Sequence, residues 1–330
     1  MTIDLTIGIQ VRAPRKDEIT AVFELLQACD VNDCGIVDTP LENLQSEWRD
    51  ERFNLARDAW VAVTPGERLV GYAALDHGGS TRIRFYGRVH PDYRGQGIGS
   101  RLLALVEERT RGFMSQAEAD TRIFLQTWCH GTSQSSKDLL EASGYACVRH
   151  TWAMSIEMPT APLEPAWPAG ITLRPFMPER DARAVFDAKE ESFRDHWGYL
   201  PRDFDHWYQR NITSDEKLDP SLWFIAMDGE QVAGIALCGY YFEAGEVNIL
   251  GVRRAWRRSG LGLALLHHAF GEFYQRGARK VTLGVDAESL TGATRLYERA
   301  GMSIELVYDA YEKTLREGVD LSTRQLEDNG

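Results

Sequence analysis

The sequence predicts an α/β fold in two tandem domains, and three observations carry the prediction. An Arg-x-x-Gly-x-Gly loop occurs twice between an apolar strand-like run and an apolar helical run, as Arg94-Gly95-Gln96-Gly97-Ile98-Gly99 and as Arg257-Arg258-Ser259-Gly260-Leu261-Gly262. The loops start 163 residues apart, and the same offset relates Phe23 to Phe186, Trp60 to Trp223, Gly71 to Gly234, Ala73 to Ala236 and Val89 to Val252, shrinking to 157 for Gly144 and Gly301. A spacing shared over so much chain is a duplication of whole domains, not the short period of a solenoid. Third, four prolines between Pro159 and Pro168 make a semi-rigid connector. The domains are therefore placed at 1–158 and 170–316, with 159–169 as linker and 317–330 as a polar, fraying tail.

Each half spells the same order of elements. In the first, Val11–Ala13 reads as a strand and Asp17–Gln27 as a helix with Ile19, Val22, Phe23 and Leu26 on one face. Residues 38–57 are polar and helical around Leu41, Leu44 and Trp48. Trp60–Val63 and Leu69–Leu75 form a hairpin about Pro65-Gly66. A strand through Ile83, Phe85 and Val89 leads into the first loop and a helix to Gly112; Ile123–Leu125, a short helix Lys137–Ala142 stopped by Ser143-Gly144, and a strand Cys147–Glu157 complete the half. The second half repeats this with Ile171–Arg174, Asp181–Phe193, a helical Phe204–Ile212, and a hairpin of Leu222–Met227 and Gln231–Cys238 about Asp228-Gly229. Glu246–Val252 then leads to the second loop and its helix, followed by Val281–Val285, Gly292–Arg299 and Ile304–Lys313.

Composition narrows the function. At 330 residues with a net charge of −12, the chain has no broad nucleic-acid footprint, and its field favours a cationic substrate. An anionic ligand then needs local help, which the loop arginines can supply. The five cysteines are odd in number and show no Cys-x-x-Cys, the pattern of free thiols in a reducing compartment. The start of the chain has no signal peptide pattern, and no apolar run approaches a membrane span, so the expectation is a cytoplasmic monomer or homodimer. Neither cysteine nor histidine spacing suggests a metal, and no Gly-x-Ser-x-Gly points to a serine hydrolase.

The loops carry the chemistry. Between a strand and a helix N-terminus, backbone N–H groups and the positive end of the helix dipole face outward, and glycines let a phosphate oxygen approach the main chain. The pattern is neither a P-loop, since no Gly-Lys-Ser/Thr follows, nor the dinucleotide Gly-x-Gly-x-x-Gly. A pyrophosphate cradle or a plain tight turn are the two readings of a single copy.

Together with Leu296-Tyr297-Glu298-Arg299-Ala300-Gly301-Met302, which resembles the Leu-Tyr-x-x-x-Gly-Phe ending of that family, the two loops and the element order resemble the GNAT (GCN5-related N-acetyltransferase) family over nearly all of both halves. The tandem arrangement is similar to that of mycothiol synthases. The resemblance implies that each half is a mixed, mostly antiparallel sheet flanked by helices, that the strand before each loop parts from its neighbour, and that acetyl-CoA lies in the gap. It implies main-chain contacts to pantetheine and the acyl carbonyl at Leu250, Gly251 and Val252, and phosphate contacts at Arg257, Arg258, Ser259, Gly260, Leu261, Gly262 and Leu263. In the first half the corresponding set is Val89, Arg94, Gly95, Gln96, Gly97, Ile98 and Gly99. Ser289 stands where the family often has an Asn, and a hydroxyl there can bond pantetheine.

Direct transfer to an amine needs a proton acceptor for the amine and a proton donor for the thiolate. The resemblance implies that Tyr297 is the donor. Glu246, at the start of the strand before the loop, is the best acceptor, and a period of two would place it on one face with Asn248, Leu250 and Val252. Alternatively Tyr297 packs a core and Glu246 is a surface carboxylate. The offsets map Glu246 onto Ile83 and Tyr297 onto Leu140, so the first half keeps a loop without the proton-transfer pair and is read as a degenerate copy. The aromatic, polar run Asp195–Tyr199 follows the first helix of the second half, where the resemblance implies an acceptor site. The expected activity is acetyl transfer from acetyl-CoA to an amine of a small molecule in a ternary complex. Acetylation of a thiol-sugar amine, acetylation of a protein amine, and a non-catalytic coenzyme A sensor or scaffold are the alternatives.

Overall fold

The computed structural model describes residues 8–76, 81–213, 218–289 and 292–323. The first half gives β1 (Gln10–Arg12), α1 (Ile19–Cys34), α2 (Leu41–Arg49), α3 (Leu55–Asp58), β2 (Ala59–Val63), β3 (Leu69–Asp76), β4 (Arg82–Val89), α4 (Ile98–Arg111), β5 (Ile123–His130), α5 (Gln134–Ala142) and β6 (Ala146–Glu157). The second gives β7 (Ile171–Pro175), α6 (Pro178–Phe193), α7 (Phe204–Tyr208), β8 (Trp223–Asp228), β9 (Gln231–Tyr241), β10 (Ala244–Val252), α8 (Leu261–Gln275), β11 (Lys280–Asp286), α9 (Ala293–Arg299) and β12 (Ser303–Arg316). The expected order therefore stands. Helix α1 runs on to Cys34, where Gly35 ends it at φ 85°, and α7 stops early because Gln209–Thr213 widens into a π turn.

The compact units are not the two contiguous halves. Unit 1 comprises Met1–His150 and Leu306–Leu321; unit 2 comprises Thr151–Glu305 and Ser322–Gly330. The last strand of each half has changed places. In unit 1 the sheet order is β1-β2-β3-β4-β5-β12, and in unit 2 it is β6-β11-β10-β9-β8-β7. Strand β12 pairs antiparallel with β5 from Tyr308↔His130 to Arg316↔Ile123, and β6 pairs with β11 from Lys280↔Glu157 to Asp286↔Thr151. A duplicated sequence offers each last strand two similar edges, so local patterning cannot tell which one it takes. The described part of the tail is also held rather than frayed. The Val319 amide donates to Asp120 O (2.6 Å) in unit 1, and the Thr323 amide to Tyr199 O (3.0 Å) in unit 2. Residues 324–330 lie outside the described part.

Within each unit one pair is parallel, β4/β5 or β10/β11, and the other pairs given above are antiparallel. Helices cover both faces. In unit 1, α4 and α5 pack on one face through Ile98, Leu102, Val106 and Leu140, and α1 and α2 on the other through Val22, Leu26 and Leu44. In unit 2, α8 and α9 cover one face and α6 and α7 the other. Burial on both faces is why β3 and β9 read as near-continuous apolar runs instead of alternating.

One polar group is folded into this packing. Glu47 on α2 accepts a hydrogen bond from the Tyr86 hydroxyl at 2.9 Å, and burial raises its carboxyl from 4.5 to about 7. The native state therefore holds this proton more tightly than the unfolded chain. Its contribution is fully present below pH 4.5 and is lost as pH rises through about 7. Glu47→Gln should remove that loss, raising stability at pH 8 by up to about 3 kcal/mol. Urea unfolding at pH 4.5 and pH 8 measures it; equal gains at both pH values would contradict the assignment.

Candidate active site

The second loop is held open from within the chain. Gly260 caps α8 at φ 91°, and a Cβ placed there meets nothing within 4 Å. Arg258 also adopts a left-handed φ of 65°, where the first loop has Gly95 at 74°. A non-glycine residue in that region carries strain of about 1–2 kcal/mol. The side chain of Arg257 closes the loop from behind. It donates from Nη1 to Asp195 Oδ2 (2.9 Å), from Nη2 to Ser192 O (3.2 Å) and from Nε to Val252 O (3.3 Å). Its amide is taken by Arg254 O at 3.3 Å. In unit 1, Arg94 does the same with Asp33 (2.7 and 3.0 Å) and Val89 O (3.1 Å).

Arg94 and Arg257 are thus loop-positioning residues, not free cations for a phosphate. Arg258 is exposed and forms no ion pair among the described residues. Ser259 shapes the turn, its hydroxyl donating to Trp256 O at 2.7 Å. The groups that remain to face an anion are the first-turn amides of α8, at Gly262 and Leu263, with those of the turn before it.

Beside each loop the parallel pair opens. β10 meets β11 only at Gly245↔Val281 and Glu246↔Thr282, and β4 meets β5 only from Arg82↔Phe124 to Arg84↔Gln126. Beyond these, the edge of Val247–Val252 that faces β11 and the edge of Phe85–Val89 that faces β5 have no partner in the described ladders. In unit 1 the gap is a cavity of about 560 Å³ lined by Phe85, Gly87, Val89, Gly97, Thr127 and Leu140 among others. An elongated thiol arm fits such a gap, and the outward amides fit its diphosphate.

The strand leading to the second loop departs from simple alternation. Its ladder to β9 shifts between Val247 and Ile249, so Asn248 is an extra, bulged residue. Gly245 and Val247 lie toward α8, as do Leu250 and Val252. Ile249 packs in the cluster under α6, and a Cβ on Gly251 would touch Ser192 of α6. Glu246 therefore shares the α6 side with Ile249 and Gly251. The expectation that it shares a face with Leu250 and Val252 is corrected, because the bulge reverses the parity after it. Glu246 is half-buried, accepts from Asn248 Nδ2 at 2.6 Å, and burial holds its carboxyl above the usual range.

Tyr297 lies on α9, 8% exposed, and burial pushes its hydroxyl up to about 12. No hydrogen bond to that hydroxyl forms among the described residues, so it is protonated and available to donate. Ser289 Oγ accepts from the Ala293 amide (3.4 Å) at the start of α9. In the segment Asp195–Tyr199, Asp195 holds the loop through Arg257 and Arg254, and Tyr199 donates to Glu190 of α6 at 2.7 Å.

Known proteins share this arrangement. The model of the Acetyltransferase (GNAT) family matches residues 182–302, and that of the Acetyltransferase (GNAT) domain matches 56–145. The mycothiol acetyltransferase of Pseudarthrobacter chlorophenolicus is 32% identical over 255 residues, 72% of this chain and 72% of its own. The chain belongs to the GNAT acetyltransferase family. It is an N-acetyltransferase, and its acyl donor is acetyl-CoA. The mycothiol acetyltransferase of Catenulispora acidiphila is 27% identical over 320 residues, 91% of this chain and 96% of its own. A GCN5-related N-acetyltransferase from Sphaerobacter thermophilus superposes with a TM-score of 0.85 at 36% identity, covering 95% of this chain and 98% of that one. A tandem GNAT protein from the clavulanic acid biosynthesis pathway shares the fold at a TM-score of 0.69 and 18% identity, covering 94% of this chain and 100% of that one. No helix among the described residues is long and apolar enough to cross a membrane.

Comparing the two GNAT units by ladder register revises the internal alignment. Gly71↔Val89 corresponds to Gly234↔Val252, and counting back past the bulge pairs Glu246 with Arg84, not Ile83. The parallel ladders agree, since Glu246↔Thr282 matches Arg84↔Gln126. Unit 1 has an arginine where unit 2 has its carboxylate, and buried Leu140 on α5 stands for Tyr297 on α9.

The residues that sequence reasoning missed are Asp33 and the role of Asp195. A weak signal existed, as both stand at the end of the first long helix of their half, Asp33 in its last turn and Asp195 two residues past it, 162 residues apart. Their effect is testable. Asp195→Ala removes the carboxylate that Arg257 and Arg254 share, and should raise the KM for acetyl-CoA about tenfold with little change in kcat. An unchanged KM in initial-rate measurements would show that the loop holds its shape without the staple. Unit 1 also brings Cys147, His150 and Asp309 within 4.8 Å. Asp309 there already accepts from His150 Nδ1 (2.6 Å) and pairs with Lys137 (2.5 Å), so its charge is compensated.

Proposed function

We propose that unit 2 transfers the acetyl group to the amine of a small molecule by direct attack in a ternary complex. Bound acetyl-CoA supplies an activated thioester. The main chain of Leu250, Gly251 and Val252 orients the acyl end, and the amides from Arg258 to Leu263 hold the diphosphate. Glu246 takes the amine proton, directly or through a water, and Tyr297 gives its proton to the departing thiolate. The observation that carries this reading is a half-buried carboxylate with a raised pKa and a buried phenol with no hydrogen-bond partner among the described residues, on elements flanking the open edge of β10. Small-molecule acceptance is supported by the relatives, which are mycothiol acetyltransferases and match most of the chain. Within that class, an amine on a thiol sugar is the favoured acceptor. In unit 1 the same reading gives Val89 and the Arg94–Gly99 loop a second acetyl-CoA, with Arg94 acting through loop position.

Thiol release from acetyl-CoA, followed with a cysteinyl amino-sugar, a polyamine and a lysine peptide as acceptors, tests the reading. Release should depend on the amino-sugar and fall sharply with the other two. Preference for the peptide would replace the small-molecule reading with acetylation of a protein amine.

A further inference from the structure

Unit 1 lacks the carboxylate and phenol of unit 2, but it has charged groups that unit 2 does not. The ladder registers set Arg88 against Gly251 and His130 against Asp286, and the loop staples set Asp30 against Ser192. Where unit 2 has serine, glycine and aspartate, unit 1 gathers Asp30, Arg88 and His130, joined by Asp38 and Tyr308. The site is deeply buried: the side chain of Asp30 is 0% exposed, that of His130 2%, and that of Asp38 19%. His130 Nε2 lies 3.6 Å from Asp30 Oδ1 and 3.8 Å from Asp38 Oδ2, and Arg88 Nε lies 3.7 Å from Asp30 Oδ1. The Tyr308 hydroxyl donates to Asp38 Oδ2 at 2.6 Å, and the Asp38 amide donates to Asp30 Oδ2 at 3.2 Å.

The His130 and Arg88 contacts are ion-pair distances longer than a hydrogen bond. Asp30 Oδ1, both ring nitrogens of His130 and Nε of Arg88 are buried without a hydrogen-bond partner among the described residues. Buried polar atoms are rarely left so, and each one is costly. Together they ask for a guest that both donates and accepts: a donor for Asp30 Oδ1, an acceptor for Arg88 Nε, and one group of either kind at His130. A hydroxylated amine supplies this set, and its ammonium suits two adjacent carboxylates. The cluster adjoins the gap beside the first loop through Arg88. Arg88, one residue before Val89 on β4, lines the cavity of about 560 Å³, and so does Cys129, next to His130. Hydrogen bonds of a catalytic cluster are often long before substrate binds.

We propose that unit 1 is a second acetyl-transfer centre whose acceptor is a small hydroxylated amine bound by Asp30, Asp38 and His130. The inference rests on the reading that the Gly95–Gly99 loop holds acetyl-CoA. The amine nitrogen adds to the thioester carbonyl carbon, and the C–S bond breaks as the C–N bond is completed. The bound ammonium first gives one proton to the His130 imidazole, and the nitrogen's second proton leaves with coenzyme A as its thiol. The two units then have different acid–base machinery on one ancestral frame, and unit 1 is not merely a degenerate copy.

The test uses the full chain with D-glucosamine as the probe amine. Without any acyl donor, calorimetric binding of D-glucosamine should weaken by roughly tenfold or more in Asp30→Asn and in His130→Asn. With acetyl-CoA, the Glu246→Gln/Tyr297→Phe protein should keep D-glucosamine-dependent thiol release roughly tenfold above the enzyme-free rate, and adding His130→Asn should abolish it. A His130→Gln protein with the wild-type melting temperature separates lost chemistry from lost folding. Binding heats unchanged by Asp30→Asn and His130→Asn overturn the proposal, and so does an enzyme-free rate in the Glu246→Gln/Tyr297→Phe protein. Acetyl-CoA stoichiometry separates the two ways of failing. One site per chain removes the reading beneath the proposal as well, whereas two sites with no residual turnover remove the proposal alone.

Discussion

Tyr297→Phe is expected to lower unit 2's kcat by about two orders of magnitude, with the KM for acetyl-CoA within about twofold of wild type. The substitution removes one oxygen and leaves the ring in the core cluster that also holds Leu283, Val285 and Met302. It costs no hydrogen bond within the chain, because none forms to that hydroxyl among the described residues, so the fold has little reason to respond. What it removes is the donor for the departing thiolate. With its pKa near 12, the phenol stays protonated across the working pH range, so its absence should be felt equally at every pH. Steady-state rates with a true acceptor decide the matter, and full turnover in the variant would exclude Tyr297 from the chemistry.

Glu246→Gln is expected to have a second large effect, of about two to three orders of magnitude on kcat/KM near neutral pH. Here the loss should depend on pH. A base acts when ionised, so wild-type kcat/KM should rise with pH through the carboxyl's pKa, which burial lifts above 4.5. That limb should vanish in Glu246→Gln, while a limb belonging to the amine itself remains. Rates flat through the acid range in wild type would point to another proton acceptor. Asn248 is a useful companion: its amide holds Glu246 Oε2 at 2.6 Å and lowers the carboxyl's pKa. Asn248→Ala should therefore move the limb to higher pH.

Much of this was legible in the sequence, and what was hidden has physical causes. Strands, helices and both loops announce themselves through local periodicity and through glycine between Val252 and Leu263. The bulge at Asn248 does not, because a single inserted residue on a half-exposed edge leaves the apolar pattern readable in either parity. It misassigned the face of Glu246 and paired it with Ile83 instead of Arg84. The exchange of β6 and β12 was invisible because duplication makes the competing partners alike. The Asp33–Arg94 and Asp195–Arg257 staples span 61 and 62 residues, and an ion pair at that range leaves no local signature. The buried cluster of unit 1 draws on α1, β4, β5 and β12, and only the folded chain brings its members together.

The most direct measurement is a crystal structure of the full chain grown with excess acetyl-CoA. The predicted result is a diphosphate within hydrogen-bond reach of the amides of Gly262 and Leu263, with the thioester sulfur at the Tyr297 hydroxyl. A coenzyme bound elsewhere in unit 2, with the Gly260 turn empty or closed, would contradict it.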